Sequence, residues 1–155
     1  LSTGILYAGL PAVALIWLRD GEDGFQIVMW AMAIVWATDI LAYFTGRAIG
    51  GPKLMPAVSP NKTWAGLLGG VTSAGLVSAA LGMAFGWAVP AWQLLAAGIG
   101  LGVVAQAGDL FESWLKRRAG VKDSGTLLPG HGGIMDRVDG LMPVVCLVAL
   151  GVAFQ

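Results

Sequence analysis

Asp109 is followed by Glu112, Ser113 and Lys116, a spacing of three, four and seven residues that sets all four on one helix face. Asp136 and Asp139 stand three apart and share a face in the same way. Asp39 sits alone inside another apolar run. An aspartate near the middle of a bilayer costs roughly 2.5–3.5 kcal/mol and needs a partner. Several carboxylates at one depth repel each other unless a cation joins them. Hard oxygen donors suit Mg²⁺, which commonly takes one or two carboxylates together with substrate phosphates. The alternative is a set of intramembrane salt bridges, for instance Asp136 or Asp139 with Arg137 or Lys116.

Two loops supply the complementary charge. The first, Thr45 to Thr63, mixes glycines and prolines with Arg47, Lys53 and Lys62 and ends in Ser59-Pro60-Asn61-Lys62-Thr63. The second, Lys116 to Gly133, carries Lys116, Arg117, Arg118 and Lys122, then Pro129-Gly130-His131-Gly132-Gly133. Exposed glycines free backbone N–H groups to meet an anion, and Lys and Arg neutralise phosphate oxygens. These are the ingredients of a polyphosphate site. A basic loop can equally be a topology signal in contact with anionic lipid, and His131 can be an ordinary loop histidine.

The elements that position these groups are membrane helices. The chain is 57% hydrophobic and 12% charged, with a mean hydropathy of +0.77, against about 25% charged residues in a soluble domain. Apolar stretches at roughly 2–18, 25–45, 64–88, 91–115 and 137–154 each approach the length that crosses a bilayer core. No period-two alternation supports a barrel. The expected fold is all-α, a polytopic bundle of about five spans with two substrate-binding loops. Gly66/Gly70, Gly82/Gly86 and Gly98/Gly102, each four apart, predict close helix packing. Trp17, Trp64, Trp87, Trp92 and Trp114 fall near span ends, as an interfacial belt requires. Basic loops stay cytoplasmic, which puts the N-terminus and both basic loops on that side. Net charge is zero and names no partner, nucleic acid included. Cys146, the single cysteine, excludes an internal disulfide and reads as an apolar packing residue. No repeat or linker divides the chain, so residues 1–155 form one membrane-embedded domain.

The stretch from Ser113 through Lys116, Arg117, Lys122, Asp123, Gly125, Pro129, His131, Gly132, Gly133, Asp136 and Arg137 to Asp139 resembles the signature of the phosphatidate cytidylyltransferase (CDP-diacylglycerol synthase) family. Asp109-Leu-Phe-Glu-Ser113 and Ser59-Pro-Asn-Lys-Thr63 look like the same family. Its members are usually longer, so the resemblance implies a C-terminal catalytic portion. It implies transfer of a cytidylyl group from CTP to phosphatidate at the cytoplasmic side of a membrane, taken as a bacterial inner membrane, with a homodimer as one assembly. Asp109, Asp136 and Asp139 would hold Mg²⁺. Lys116, Arg117, Lys122 and Arg137 would neutralise phosphate oxygens, and Ser59, Asn61, Lys62 and Thr63 would contact nucleotide or lipid phosphate. Ser113, Asp123 and His131 would support them, and Asp39 is the weaker candidate for a second, monovalent cation. The rival readings are a related CTP-dependent enzyme acting on another lipid, such as a CDP-archaeol synthase or polyprenol kinase, and an ion-coupled transporter.

Overall fold

The computed structural model describes residues 2–121, 124, 125, 133 and 135–154, without the side chains of residues 2–5 and Arg137. The apolar runs fold as helices α1 (Ser2–Asp20), α2 (Gly24–Ile49), α3 (Trp64–Ala84), α4 (Ala91–Arg118) and α6 (Leu141–Ala153), with a one-turn helix α5 (Met135–Val138) before the last. Three of them, α2, α3 and α4, are long and apolar enough to cross a membrane. The chain is an integral membrane protein built mainly of helix.

Two expectations need correction. The fifth span does not run unbroken from 137 to 154. The helix stops at Val138, turns at Asp139–Gly140 and restarts at Leu141. The remaining 13 residues of α6 rise about 20 Å, short of a core about 30 Å thick. The first basic loop is also not irregular throughout. Helix α2 continues to Ile49, where Gly50 and Gly51 adopt positive φ (68° and 93°), a backbone region open to glycine. A hairpin follows, with β1 (Lys53–Met55) antiparallel to β2 (Ser59–Thr63) in the register Lys53↔Thr63 and Met55↔Ser59. Pro60 fits this small two-stranded sheet, where a missing N–H is tolerated at an edge.

Consecutive helices alternate in direction. Tyr7 near the start of α1 meets Phe111 near the end of α4, with ring centroids 5.9 Å apart. At the opposite end, Trp30 of α2 meets Trp87 beyond α3 at 5.6 Å. Trp17, Trp64, Trp92 and Trp114 are exposed as a belt requires, whereas Trp87 turns inward and donates its indole N–H to Gln26.

Glycines let the three long helices touch along their backbones. A Cβ on Gly70 would stand 2.8 Å from the Thr38 carbonyl of α2, and one on Gly98 would stand 2.5 Å from the Ala74 carbonyl of α3 and collide with Ser78. Ser78 seals that seam, donating to the Leu94 carbonyl (2.5 Å) and accepting from the Trp30 indole (3.1 Å). Of the paired glycines, Gly86 differs: it lies in a turn at φ 75° with open space around it. Gly98→Leu is expected to destabilise the bundle by roughly 3 kcal/mol, the upper range for overpacking. Gly100→Leu, at a position where an added Cβ meets nothing within 4 Å, is expected to be near neutral. Thermal unfolding of both variants in detergent checks the difference.

Candidate active site

Apart from Arg19, Asp20, Glu22 and Asp23 around the α1–α2 turn, the charged residues described gather at one end of the bundle, in two adjoining groups. The first lines a cavity of about 570 Å³ between α2, the hairpin, the start of α3 and α4 at Gln106 and Asp109, with Arg47, Lys53, Asn61 and Lys62 around it. Its floor is a polar chain. Lys62 pairs with Asp109 at 2.5 Å and donates to the Gln106 side-chain carbonyl at 2.9 Å. The Gln106 amide donates to Asp39 at 3.3 Å. The hairpin positions Lys62 for this, because β2 runs directly into α3. Thr63, at the junction, spends its hydroxyl as an N-cap, accepting from the Gly66 N–H at 3.1 Å. Such a cap contributes about 1 kcal/mol. Thr63 is buried and lines the cavity wall, while Asn61 is exposed and Ser59 is half-buried at the far end of the strand.

The second group centres on Lys116. Its ammonium lies 2.5 Å from Asp136 and 3.4 Å from Glu112 one turn earlier. Asp136 also accepts from the Ser124 N–H and hydroxyl (both 2.9 Å) and from the Gly133 N–H (2.8 Å). It thereby ties two points of the second basic loop to the start of α5. Partial burial pushes the Asp136 carboxyl up. The Lys116 ammonium and the hydrogen bonds from Ser124 and Gly133 outweigh it and hold Asp136 well below the usual carboxylate range. Glu112 is the opposite case. Its side chain is 4% exposed, and neither carboxylate oxygen has a hydrogen-bond partner among the described residues. The Lys116 contact is close enough for an ion pair but not aligned for a hydrogen bond.

Asp139 lies at the turn between these groups. Burial, then the Asp109 carboxylate, pushes its carboxyl up to about 7, against a 2.7 Å hydrogen bond from the Gly140 N–H; Glu112 and Asp39 add to the rise. Ser113 donates to Asp109 at 3.3 Å. Arg117 is exposed at the end of α4. Lys122, Asp123 and His131 lie outside the described residues, as does the side chain of Arg137 in α5.

Among the described residues, no group of three or more Asp, Glu, His or Cys side chains stands close enough to hold a metal ion alone. Asp109, Asp136 and Asp139 are not drawn into one cluster: Lys62 holds the first, and Lys116 with backbone donors saturates the second. The donor chemistry nevertheless fits a hard divalent cation. Asp39, Asp109, Glu112 and Asp139 crowd one end of the bundle, Glu112 has no hydrogen-bond partner among the described residues, and Asp139 is disfavoured as an anion by burial and by its neighbours. A cation that takes only one or two carboxylates, completing its shell with phosphate oxygens, suits that arrangement.

Sequence reasoning passed over Gln106, named Arg47 and Lys53 only as cations of the first basic loop, and left Glu112 on the helix face without a role. Gln106 had a signal, standing three residues before Asp109 in an otherwise apolar run. Lys53 acquires its place only through the hairpin.

The structure defines a membrane helix bundle that carries, at one end, a cation-lined cavity beside several carboxylates. The chain belongs to the cytidylyltransferase family, whose model matches residues 1–154. It is 51% identical over 154 residues to a phosphatidate cytidylyltransferase of Brucella melitensis biotype 1, covering 96% of this chain and 55% of that protein. It is 46% identical over 144 residues to one from Staphylococcus epidermidis (93% and 55%), and 37% identical over 145 residues to one from Rickettsia bellii (90% and 63%). The chain thus spans little more than half the length of these curated relatives.

Proposed function

We propose that the full-length protein is a phosphatidate cytidylyltransferase, converting CTP and phosphatidate to CDP-diacylglycerol and pyrophosphate. The observation that carries this reading is the juxtaposition, at one end of the bundle, of the Arg47–Lys53–Lys62 cavity and the Lys116 cluster, in a chain whose relatives bear that name. Two polyanions must meet, and two adjoining cationic places are available to receive them.

The attacking group is a phosphatidate oxygen that is already an anion, so no strong protein base is needed. It bonds to the α-phosphorus of CTP as the bond to the bridging oxygen of pyrophosphate breaks. The chain's task is to position and neutralise. Arg47, Lys53 and Lys62 face the triphosphate, and Asn61 adds a hydrogen-bonding side chain at the cavity wall. Lys116, held between Asp136 and Glu112, and Arg117 face the lipid phosphate. Asp136 also holds Ser124 and Gly133 beside Lys116. Mg²⁺, when bound, supplies charge neutralisation at the reacting phosphates. Asp109 and Asp139 would hold it, with Asp136 engaged instead by Lys116. Asp39 is the candidate for a second, monovalent cation. The sidedness of the basic residues supports placing this end at the cytoplasmic face of a bacterial inner membrane, where CTP is present.

The test is formation of CDP-diacylglycerol from labelled CTP and phosphatidate by the full-length protein in vesicles, with Mg²⁺ and with EDTA. Product that disappears with EDTA is expected. Product from another lipid acceptor but not from phosphatidate would replace the reading with the alternative lipid enzymes, and solute flux without product would favour the transporter.

A further inference from the structure

An apolar groove of about 370 Å³ runs between α1, α4 and α6, walled by Leu6, Leu10, Ala107, Phe111, Met142 and Cys146. It is not part of the charged cavity, but one end abuts the acid cluster. Phe111 immediately precedes Glu112, and Gly108 in the groove wall packs so tightly that an added Cβ would stand 2.7 Å from the Asp139 carbonyl. From there the groove descends along α4 to Val104, about 10 Å at the rise of an α-helix, away from the basic end of the bundle. At its head lies the Tyr7 hydroxyl, buried and without a hydrogen-bond partner among the described residues. Glu112 and Asp139 are its electrostatic neighbours.

We propose that this groove seats one acyl chain of the lipid substrate, with the Tyr7 hydroxyl donating to the glycerol ester region and the phosphate reaching Lys116. The proposal rests on the phosphatidate reading above and adds where the lipid lies. Three features fit this occupant together. The groove is apolar along its length, and Lys116 to Arg118 close α4 about 8 Å beyond Phe111 at its head, within reach of a molecule with one apolar and one anionic end. Its long axis follows the helix, the direction of an acyl chain in the adjoining leaflet. An orphaned hydroxyl at the junction costs free energy unless an acceptor arrives, and an ester carbonyl lies at that level of a phospholipid. Leu6, Leu10 and Phe111 are exposed, leaving the groove open to lateral entry.

Ala107 is exposed on the groove wall, so Ala107→Phe fills the groove without crowding the core. Val103→Phe, on the exposed α4 surface outside the groove, is the control. In the full-length protein in vesicles at saturating CTP, Ala107→Phe is expected to raise KM for dioleoyl phosphatidate about tenfold, the equivalent of roughly two buried methylene groups. KM for dihexanoyl phosphatidate and for CTP is expected to stay within about twofold, as for Val103→Phe. Equal effects on long and short chains, or no difference from Val103→Phe, would overturn the proposal. A second measurement does not depend on turnover: a phosphatidate with a diazirine in its acyl chain is photolysed with the wild-type protein. Labelling of peptides containing residues 104–111 or 142–146, suppressed by excess phosphatidate but not by phosphatidylcholine, supports the groove. Labelling that either lipid suppresses equally, or its absence from these peptides because another segment of the full-length protein fills the space, overturns it. If the wild type forms no CDP-diacylglycerol, the reaction assigned above falls and the crosslink alone decides the groove.

Discussion

Lys116→Met is expected to reduce CDP-diacylglycerol formation by about 10²–10³-fold, the loss typical of deleting one charge-stabilising group from an active site. Two consequences of the geometry separate this from simple misfolding. The ammonium neutralises Asp136 and pairs with Glu112. Removing it leaves Glu112, 4% exposed, as a buried charge without a counter-ion among the described residues. Breaking a fully buried pair in this way costs roughly 3–5 kcal/mol. Lys116 keeps some solvent contact, at 16% exposed, so a smaller loss of about 2 kcal/mol is expected here. Adding Glu112→Gln removes the orphaned charge, and the double variant should recover much of that stability. It should not recover activity, because the phosphate still lacks its cation. Thermal unfolding in detergent and the labelled-CTP assay, run on both single variants and the double, read the two effects separately. Wild-type turnover by Lys116→Met would remove Lys116 from the reaction and leave it a purely structural ion pair.

What the sequence made legible, and what it did not, follows from the range of the forces involved. Helix existence came from long apolar runs, and the one-face placement of Asp109, Glu112, Ser113 and Lys116 came from helical geometry, so both were readable in a short window. The gathering of basic residues at one end of the bundle was readable from alternating loops. The hairpin Lys53–Thr63 was not, because three- and five-residue strands containing Pro60 carry almost no periodic signal, and their pairing depends on where α2 happens to stop. Tertiary partner choice was also hidden. Nothing in the spacing distinguishes an Asp109 that faces Lys62, forty-seven positions earlier in sequence, from one that faces Asp136 or Asp139. The break at Asp139–Gly140 hid behind hydropathy: the flanking residues are apolar enough to read as one span, yet Gly140 packs against the Ala105 carbonyl and turns the chain so that Asp139 faces the cluster.

That partner choice makes Asp109→Asn the most informative substitution at the cavity. In the structure Asp109 is the counter-ion of Lys62 at 2.5 Å, while the proposed reaction gives it a share in holding Mg²⁺. Both roles predict a loss of activity, expected at about 10²-fold, but they differ in how the loss responds to metal. As a ligand, the carboxylate contributes directly to cation affinity. The asparagine variant should then need at least tenfold more Mg²⁺ for half-maximal rate, an affinity loss within the range for perturbed metal sites, and should recover in part as Mg²⁺ is raised. As a counter-ion only, Asp109 acts by holding Lys62 over the cavity, so the Mg²⁺ dependence should be unchanged while KM for CTP rises. Lys62→Met supplies the comparison, since it removes the triphosphate-facing ammonium but leaves the carboxylate free. It is expected to raise KM for CTP without raising the Mg²⁺ requirement. If Asp109→Asn and Lys62→Met respond identically to Mg²⁺ and CTP, Asp109 belongs to Lys62 alone, and the carboxylate left to hold the cation is Asp139, with Glu112 beside it.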